Sequence, residues 1–400
     1  MNVTFLIGNG FDIGVGLKSS FQDFFPIYQE LSQKKPHRIK QLASEIEADY
    51  KTWADFEKAL GQYTVNFSSE NRQDLIDQIR DFESEFIKYL KYEEHRIFGE
   101  KNDALMRIDM FRVMTEGLLL FYSLKNLAKE SNAVVLEIIN KYQKETIHFN
   151  FLNFNYTHVL ENLLNIVSEH EKNIETKKPN LYAIDSVIHV HGDYDAHPII
   201  GLNDASQIAN KELSQDPRFV RYLLKPQINQ SLRTGNDRMA TEIINKSNII
   251  CIYGMSIGET DKKWWDILMK WLHLDTERQL IIFDYDKDYQ TDTPYGWLEK
   301  EDYYIDKFND FSSSSFDVSN MRSRIHIAIN KNIFSMTHIT TASPKQNFMT
   351  LEEYLNEKKR RENKSSEESR FATDEEIDAL FNDSSASEEK SVYEEWVGSW

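Results

Sequence analysis

Val3-Thr4-Phe5-Leu6-Ile7 runs without a break into Gly8-Asn9-Gly10-Phe11-Asp12-Ile13-Gly14-Val15-Gly16-Leu17. An apolar run that ends in closely spaced glycines reads as a strand, a tight turn and the start of a helix. Glycine lets the backbone take positive φ and approach a ligand closely, and exposed N–H groups there can cradle phosphate oxygens. The spacing departs from the dinucleotide fingerprint G-x-G-x-x-G, which needs glycine where Ile13 or Asp12 stands. A ligand-holding loop and a purely structural turn both remain open on spacing alone.

Five further runs resemble the first: Ile147–Phe154, Val187–Val190, Ile249–Tyr253, Leu280–Phe283 and Ile325–Ile329. Each is short, rich in Ile, Val, Phe or Leu, and bounded by polar or turn residues. Near-continuous apolar strands suit a parallel sheet covered by helices on both faces. The expected fold is therefore α/β, a Rossmann-like, doubly wound and mostly parallel sheet. Between the first two runs, about 21–143, apolar residues recur at helical spacing, as in Leu75, Ile79, Phe82, Phe86, Tyr89 and Leu90. This is read as a large helical insertion into one domain over 1–350. Residues 351–400 differ, with 15 acidic and 7 basic residues and serine-rich patches. That composition predicts an acidic, largely disordered tail, interrupted by an amphipathic Ile377–Phe381 stretch and an aromatic end at Tyr393, Trp396 and Trp400.

The formal charge of −18 makes nucleic acid an unfavourable partner for the molecule as a whole. Lys34, Lys35, His37, Arg38 and Lys40 form a local basic stretch, read as a solvated surface. The single cysteine, Cys251, excludes an internal disulfide and a four-thiolate zinc site, and reads as a small buried hydrophobe. No signal-like leader precedes Val3, and no apolar run nears the roughly 18 residues needed to span a bilayer. These features predict a cytoplasmic protein without a membrane partner.

His189 and His191, two apart on a strand, are expected to share a face. With Asp193 and either His158 or His197 they offer a rival metal reading, although no metal is the primary expectation. Asp55 and Glu57, beside Trp53, diverge on a helix and read as surface or capping residues. Trp264, Leu268 and Trp271 share a helical face and read as core. The Asp284–Asp288 cluster reads as a solvated turn.

The opening G-N-G-F-D, with Ser20, Phe21 and Phe24 after it, resembles the start of the AbiH (abortive infection) family. Trp53-Ala54-Asp55-Phe56-Glu57, Phe154-Asn155-Tyr156-Thr157, His191-Gly192 and Gly254-Met255-Ser256 with Asp261 resemble further elements of that family, in order over about 1–265. More distantly, this ordered set is similar to sirtuin-like NAD-binding domains. That resemblance implies a nucleotide ligand held by Gly8, Asn9, Gly10, Phe11, Asp12 and Gly16, with Gly254 and Ser256 lining the cleft. It implies Asn155 orienting ribose and water, and His191 as base, in hydrolysis of NAD or a related nucleotide at its N-glycosidic bond. Thr157 and Asn153 depart from the sirtuin pattern, Asp12 puts a carboxylate near a diphosphate, and the absence of CxxC pairs argues against protein deacylation. The AbiH resemblance implies anti-phage defence. A sensing or scaffold module acting through a homo-oligomer or a defence-system partner is the alternative, with a metal-dependent nuclease as a third.

Overall fold

All six apolar runs form strands: β1 (Asn2–Ile7), β2 (Ile147–Asn153), β3 (Tyr182–His189), β4 (Ile249–Tyr253), β5 (Gln279–Asp284) and β6 (Ile325–Ile329). In the computed structural model every pairing is parallel, in the order β3-β2-β1-β4-β5-β6. The chain winds one way from β1 to β3 and the other way from β4 to β6. Its topological switch point therefore lies between β1 and β4, the place where open α/β sheets bind ligands. β3 begins earlier than its apolar signal, because this half-exposed edge strand carries the mixed stretch Tyr182-Ala183-Ile184-Asp185-Ser186.

The described residues are 1–98, 110–118, 124, 127–142, 144–173, 182–289, 295–313, 316–331 and 333–334. The tail expected over 351–400 lies outside them. No helix among them is long and apolar enough to cross a membrane.

Among the described residues, seven α-helices separate β1 from β2: α1 (Asn9–Gly14), α2 (Phe21–Ser32), α3 (His37–Ala48), α4 (Phe56–Tyr63), α5 (Arg72–Phe98), α6 (110–118) and α7 (Lys129–Lys141). Ser20 and Asp23 form a reciprocal capping box on α2, and the Asp55 carboxylate caps α4 by accepting from the Lys58 N–H. The insertion divides physically into two parts. Its first part builds an aromatic core of its own around Phe24, Phe56, Phe82 and Phe86, with Phe56 stacked on Phe82 at 4.0 Å. Met110, Met114, Val135 and Ile139 of its second part pack instead on the sheet face formed by Val3, Phe5, Phe149 and Phe151.

α8 (Val159–Asn173) joins β2 to β3. α9 (Lys211–Ser214), α10 (Pro217–Leu223), α11 (Lys225–Leu232) and α12 (Asn236–Lys246) lie between β3 and β4, α13 (Lys262–Leu274) follows β4, and α14 (Tyr295–Phe311) follows β5. The opposite sheet face, Leu6, Leu152, Ile250, Ile252 and Ile282, is covered by Trp264, Trp265, Leu268 and Trp271 of α13. The indole N–H groups of Trp265 and Trp271 donate to the carbonyls of Gly258 and Ser247, so neither ring is buried with an orphaned donor. Cys251 is fully buried in the central strands. The stretch between β3 and α11 supplies Ile200, Leu202, Phe219 and Leu223 to the core of the insertion, which ties that core to the second half of the chain.

Candidate functional site

The glycine turn sits at the switch point, and its glycines are spaced for contact with the loop after β4. Gly8 N–H donates to the Tyr253 carbonyl (3.0 Å) and Gly10 N–H to the Gly254 carbonyl (2.8 Å). A Cβ on Gly10 would stand 2.7 Å from Gly254 Cα, and Gly254 itself holds φ +66°. The two loops thus touch backbone to backbone, which only glycine allows. Gly16 ends the turn at φ +96°. Phe11 is buried against Tyr253 and Phe334, Asn9 accepts from the Ser19 hydroxyl, and Ser256 is exposed on the loop after β4.

Asp12, on α1, turns inward and is buried. Its carboxylate accepts from Thr157 Oγ1 (2.6 Å) and Asn155 Nδ2 (3.0 Å), and Asn155 Nδ2 also reaches the Gly8 carbonyl (3.2 Å). The backbone N–H of Asn155 donates to Asn153 Oδ1 (3.0 Å). The segment after β2 therefore clasps the glycine turn through one carboxyl group. Burial pushes the Asp12 pKa up to about 7. The Thr157 and Asn155 hydrogen bonds oppose that rise, and Glu94 and Glu161 add to it.

A second buried set lies where the insertion meets the ends of β3 and β4. His191, in the turn after β3, places Nε2 3.1 Å from Asp261 Oδ1, which immediately precedes α13. Lys225, the first residue of α11, reaches the same Asp261 oxygen at 3.3 Å and Glu57 of α4 at 2.8 Å. Glu57 also accepts from the Gly201 N–H. Capping describes Asp55, but the surface reading of Glu57 is corrected: it is 8% exposed, because α4 turns that position toward Lys225. Helical spacing showed that Asp55 and Glu57 diverge, yet gave no way to see that Glu57 was the inward one. Lys225 had no sequence signal at all, since it lies in no motif.

The charges in this set are unequal. Burial would raise Asp261, but Lys225 and then His191 hold it well below the usual carboxylate range. Burial raises Glu57 to about 7 despite Lys225, so Glu57 is the carboxyl that takes a proton more readily. Asp261 and Glu57 hold Lys225 above its usual value against burial. Burial and then Lys225 lower His191. Its Nδ1 is buried and has no hydrogen-bond partner among the described residues, and its ring packs edge-on against Phe154. His191, Lys225, Asp261, Asn229, Asp237 and Trp264 line a cavity with about 10 Å³ of space for the centre of a water molecule, which is roughly one water.

The expectation that His189 and His191 share a face is corrected, because β3 ends at His189 and the chain turns before His191. His189 points to α8, against Glu161, while His191 points to α13. His189 gathers with His158 and Asp193 instead; their ligand atoms lie within 4.8 Å of one another. The basic stretch is partly neutralised: Lys35 pairs with Asp81 and Glu85, and Arg38 with Asp74 and Asp77. In the 284–288 turn, Asp284 and Asp286 pair with Lys300.

An open parallel sheet with the 3-2-1-4-5-6 order, a glycine contact at its switch point and a buried acid–base set beside it define an α/β protein built on a Rossmann-type plan. The family profile described as Bacteriophage abortive infection AbiH matches residues 4–284, and the chain belongs to that family. Membership places it in the abortive-infection response to bacteriophage. No curated protein matches the chain. The matched span runs from within β1 to the end of β5 and contains both buried clusters, so Asp12 with Asn155 and Thr157, and Glu57 with Lys225, Asp261 and His191, are features of the AbiH portion.

Proposed function

We propose that this chain acts in phage defence by hydrolysing the N-glycosidic bond of NAD or a related nucleotide, with His191 as general base. The observation that carries this reading is the state of the imidazole. Nε2 faces the Asp261 carboxylate, so it carries the proton, and Nδ1 keeps its lone pair with no partner among the described residues. A lowered pKa keeps that ring neutral at neutral pH, ready to accept a proton from an attacking water. Asp261 orients the ring and stabilises the imidazolium that forms, while Lys225 holds Asp261 ionised.

Asn155 acts in this scheme as a positioning residue. Its amide is committed to Asp12 and Gly8, so it fixes the glycine turn relative to the end of β2. The nucleotide then lies over the outer side of the Gly8–Gly16 turn, at Asn9, Gly10 and Gly16, and over the Gly254–Ser256 loop, while the buried Phe11 and Asp12 hold that turn in shape from beneath. The cavity beside His191 has room for about one water, so the nucleotide enters by displacing its outer wall, the starts of α11 and α13.

Cellular NAD followed after phage challenge tests this directly. NAD should fall in cells carrying the parent chain and stay level with His191→Gln, which fills the same space and keeps a donor for Asp261. Removal of one general base should slow turnover by about 10²–10⁴-fold. Full protection with constant NAD in the parent would discard the reaction.

A further inference from the structure

We propose that His158, His189 and Asp193 form a binding site for a divalent cation of the Zn²⁺ class, with Glu161 at its edge. The three side chains come from two distant segments, His158 from just before α8 and His189 and Asp193 from the end of β3 and the turn after it, and their ligand atoms converge within 4.8 Å. His158 Nε2 lies 3.3 Å from Asp193 Oδ1, and the rings of His158 and His189 meet edge to face at 5.6 Å.

The orientation of His189 is a second, independent observation. Its Nδ1 lies 2.9 Å from the Asn155 carbonyl, which can only accept, so Nδ1 carries the hydrogen. Nε2 is then the atom turned to the cluster. It faces the Glu161 carboxylate in close contact, an ion-pair geometry whose place a bound cation would take, and the buried Glu161 Oε2 has no hydrogen-bond partner among the described residues. A histidine anchored through one nitrogen on a backbone carbonyl, with the other nitrogen turned to a corner shared with carboxylates, is the arrangement a metal-ligating imidazole takes. The carboxylates of Asp193 and Glu161 crowd the same corner, and a cation supplies the positive charge that two adjacent imidazoles and two carboxylates call for.

Two imidazoles and a carboxylate select zinc or a similar borderline ion over magnesium or calcium, which take all-oxygen sets. Three protein ligands also leave a coordination position open. The site stands apart from the His191 cluster and does not depend on the glycohydrolase reading. Bound metal would fix the Asn155 carbonyl through His189, and so brace the segment that clasps the glycine turn.

Metal analysis of the purified full chain, stripped with chelator and then dialysed against Zn²⁺, tests the site, with thermal unfolding recorded alongside. About one zinc per chain is expected, with a midpoint that rises with Zn²⁺ concentration. His158→Ala, His189→Ala and Asp193→Asn should each weaken binding about tenfold or more. His148→Ala, which removes an exposed histidine paired with Asp185, should leave it unchanged. Asp193→Asn sits on a partly exposed turn, so it serves if His189→Ala fails to fold. A parent chain that takes up no zinc, or site variants that bind it as the parent does, would overturn the proposal.

Discussion

Lys225 holds two carboxylates, Glu57 and Asp261, where its own side chain is only 7% exposed. Removing one partner from a buried ion set strands the others, which typically costs about 3–5 kcal/mol. Lys225→Met should therefore lower unfolding free energy by about that much in denaturant titration. Glu57→Gln should cost less, about 1–3 kcal/mol, because Glu57 already takes up a proton readily, while the single amide oxygen can keep only one of the two bonds accepted from the Gly201 N–H and Lys225. Asp12 makes a different prediction. Its pKa rises from 3.8 to about 7 on burial, so between those values the folded chain keeps a proton that the unfolded chain has released. Raising the pH through that window lowers stability, by up to about 4 kcal/mol for a shift of this size. Asp12→Asn, whose amide can donate to Thr157 Oγ1 and accept from Asn155, should flatten that part of the pH–stability curve. An unchanged slope between about pH 4 and 7 would show that Asp12 is not the group responsible. On the proposed reaction His191 has a kinetic counterpart: its lowered pKa predicts a turnover rate that reaches its plateau before neutral pH.

The first turn and the strand ends show what elements add to residues. Gly10 and Gly14 are four apart on the same short helix and look alike in the sequence. A Cβ at Gly10 would meet the backbone of Gly254 at 2.7 Å, whereas one at Gly14 would meet nothing within 4 Å. Gly10→Ala should cost about 1–3 kcal/mol in thermal unfolding by forcing the β1 and β4 loops apart. Gly14→Ala should be neutral or raise stability slightly, since alanine favours helix. The glycine signal was legible, and so was the strand before it, because a central strand is apolar without interruption. The partner of the glycines was not legible, since Gly254 lies far along the chain and spacing between neighbours says nothing about it. The same limit explains the histidines. Period-two alternation placed His189 and His191 together, but alternation lapses where a strand ends, and that end could not be read from Ile188-His189-Val190-His191. His158 and His189 were each visible as candidates; only the packing of α8 on β3 brings them together.

At the scale of the molecule, six parallel strands and a helical insertion were readable because both rest on local periodicity. The strand order was not, and neither was the split of the insertion between its own core and the sheet face, because both depend on contacts between distant segments. Glu57 and Lys225 are the sharpest case: each is unremarkable where it stands in the chain, and together they form the buried bridge between insertion and sheet domain. The strand order also bears on how the protein is made. β1 leaves the ribosome first but is the strand flanked by β2 and β4 in the finished sheet. At about 5–20 residues per second, the β4 segment emerges roughly 12–50 seconds after β1, and until then the apolar β1 has an unpaired edge. Chains halted near residue 240 should leave β1 open to protease, and chains halted after β6 should protect it. The first strand made therefore waits through most of synthesis for the neighbour that closes the sheet, and through that interval its bare edge is open to other nascent chains.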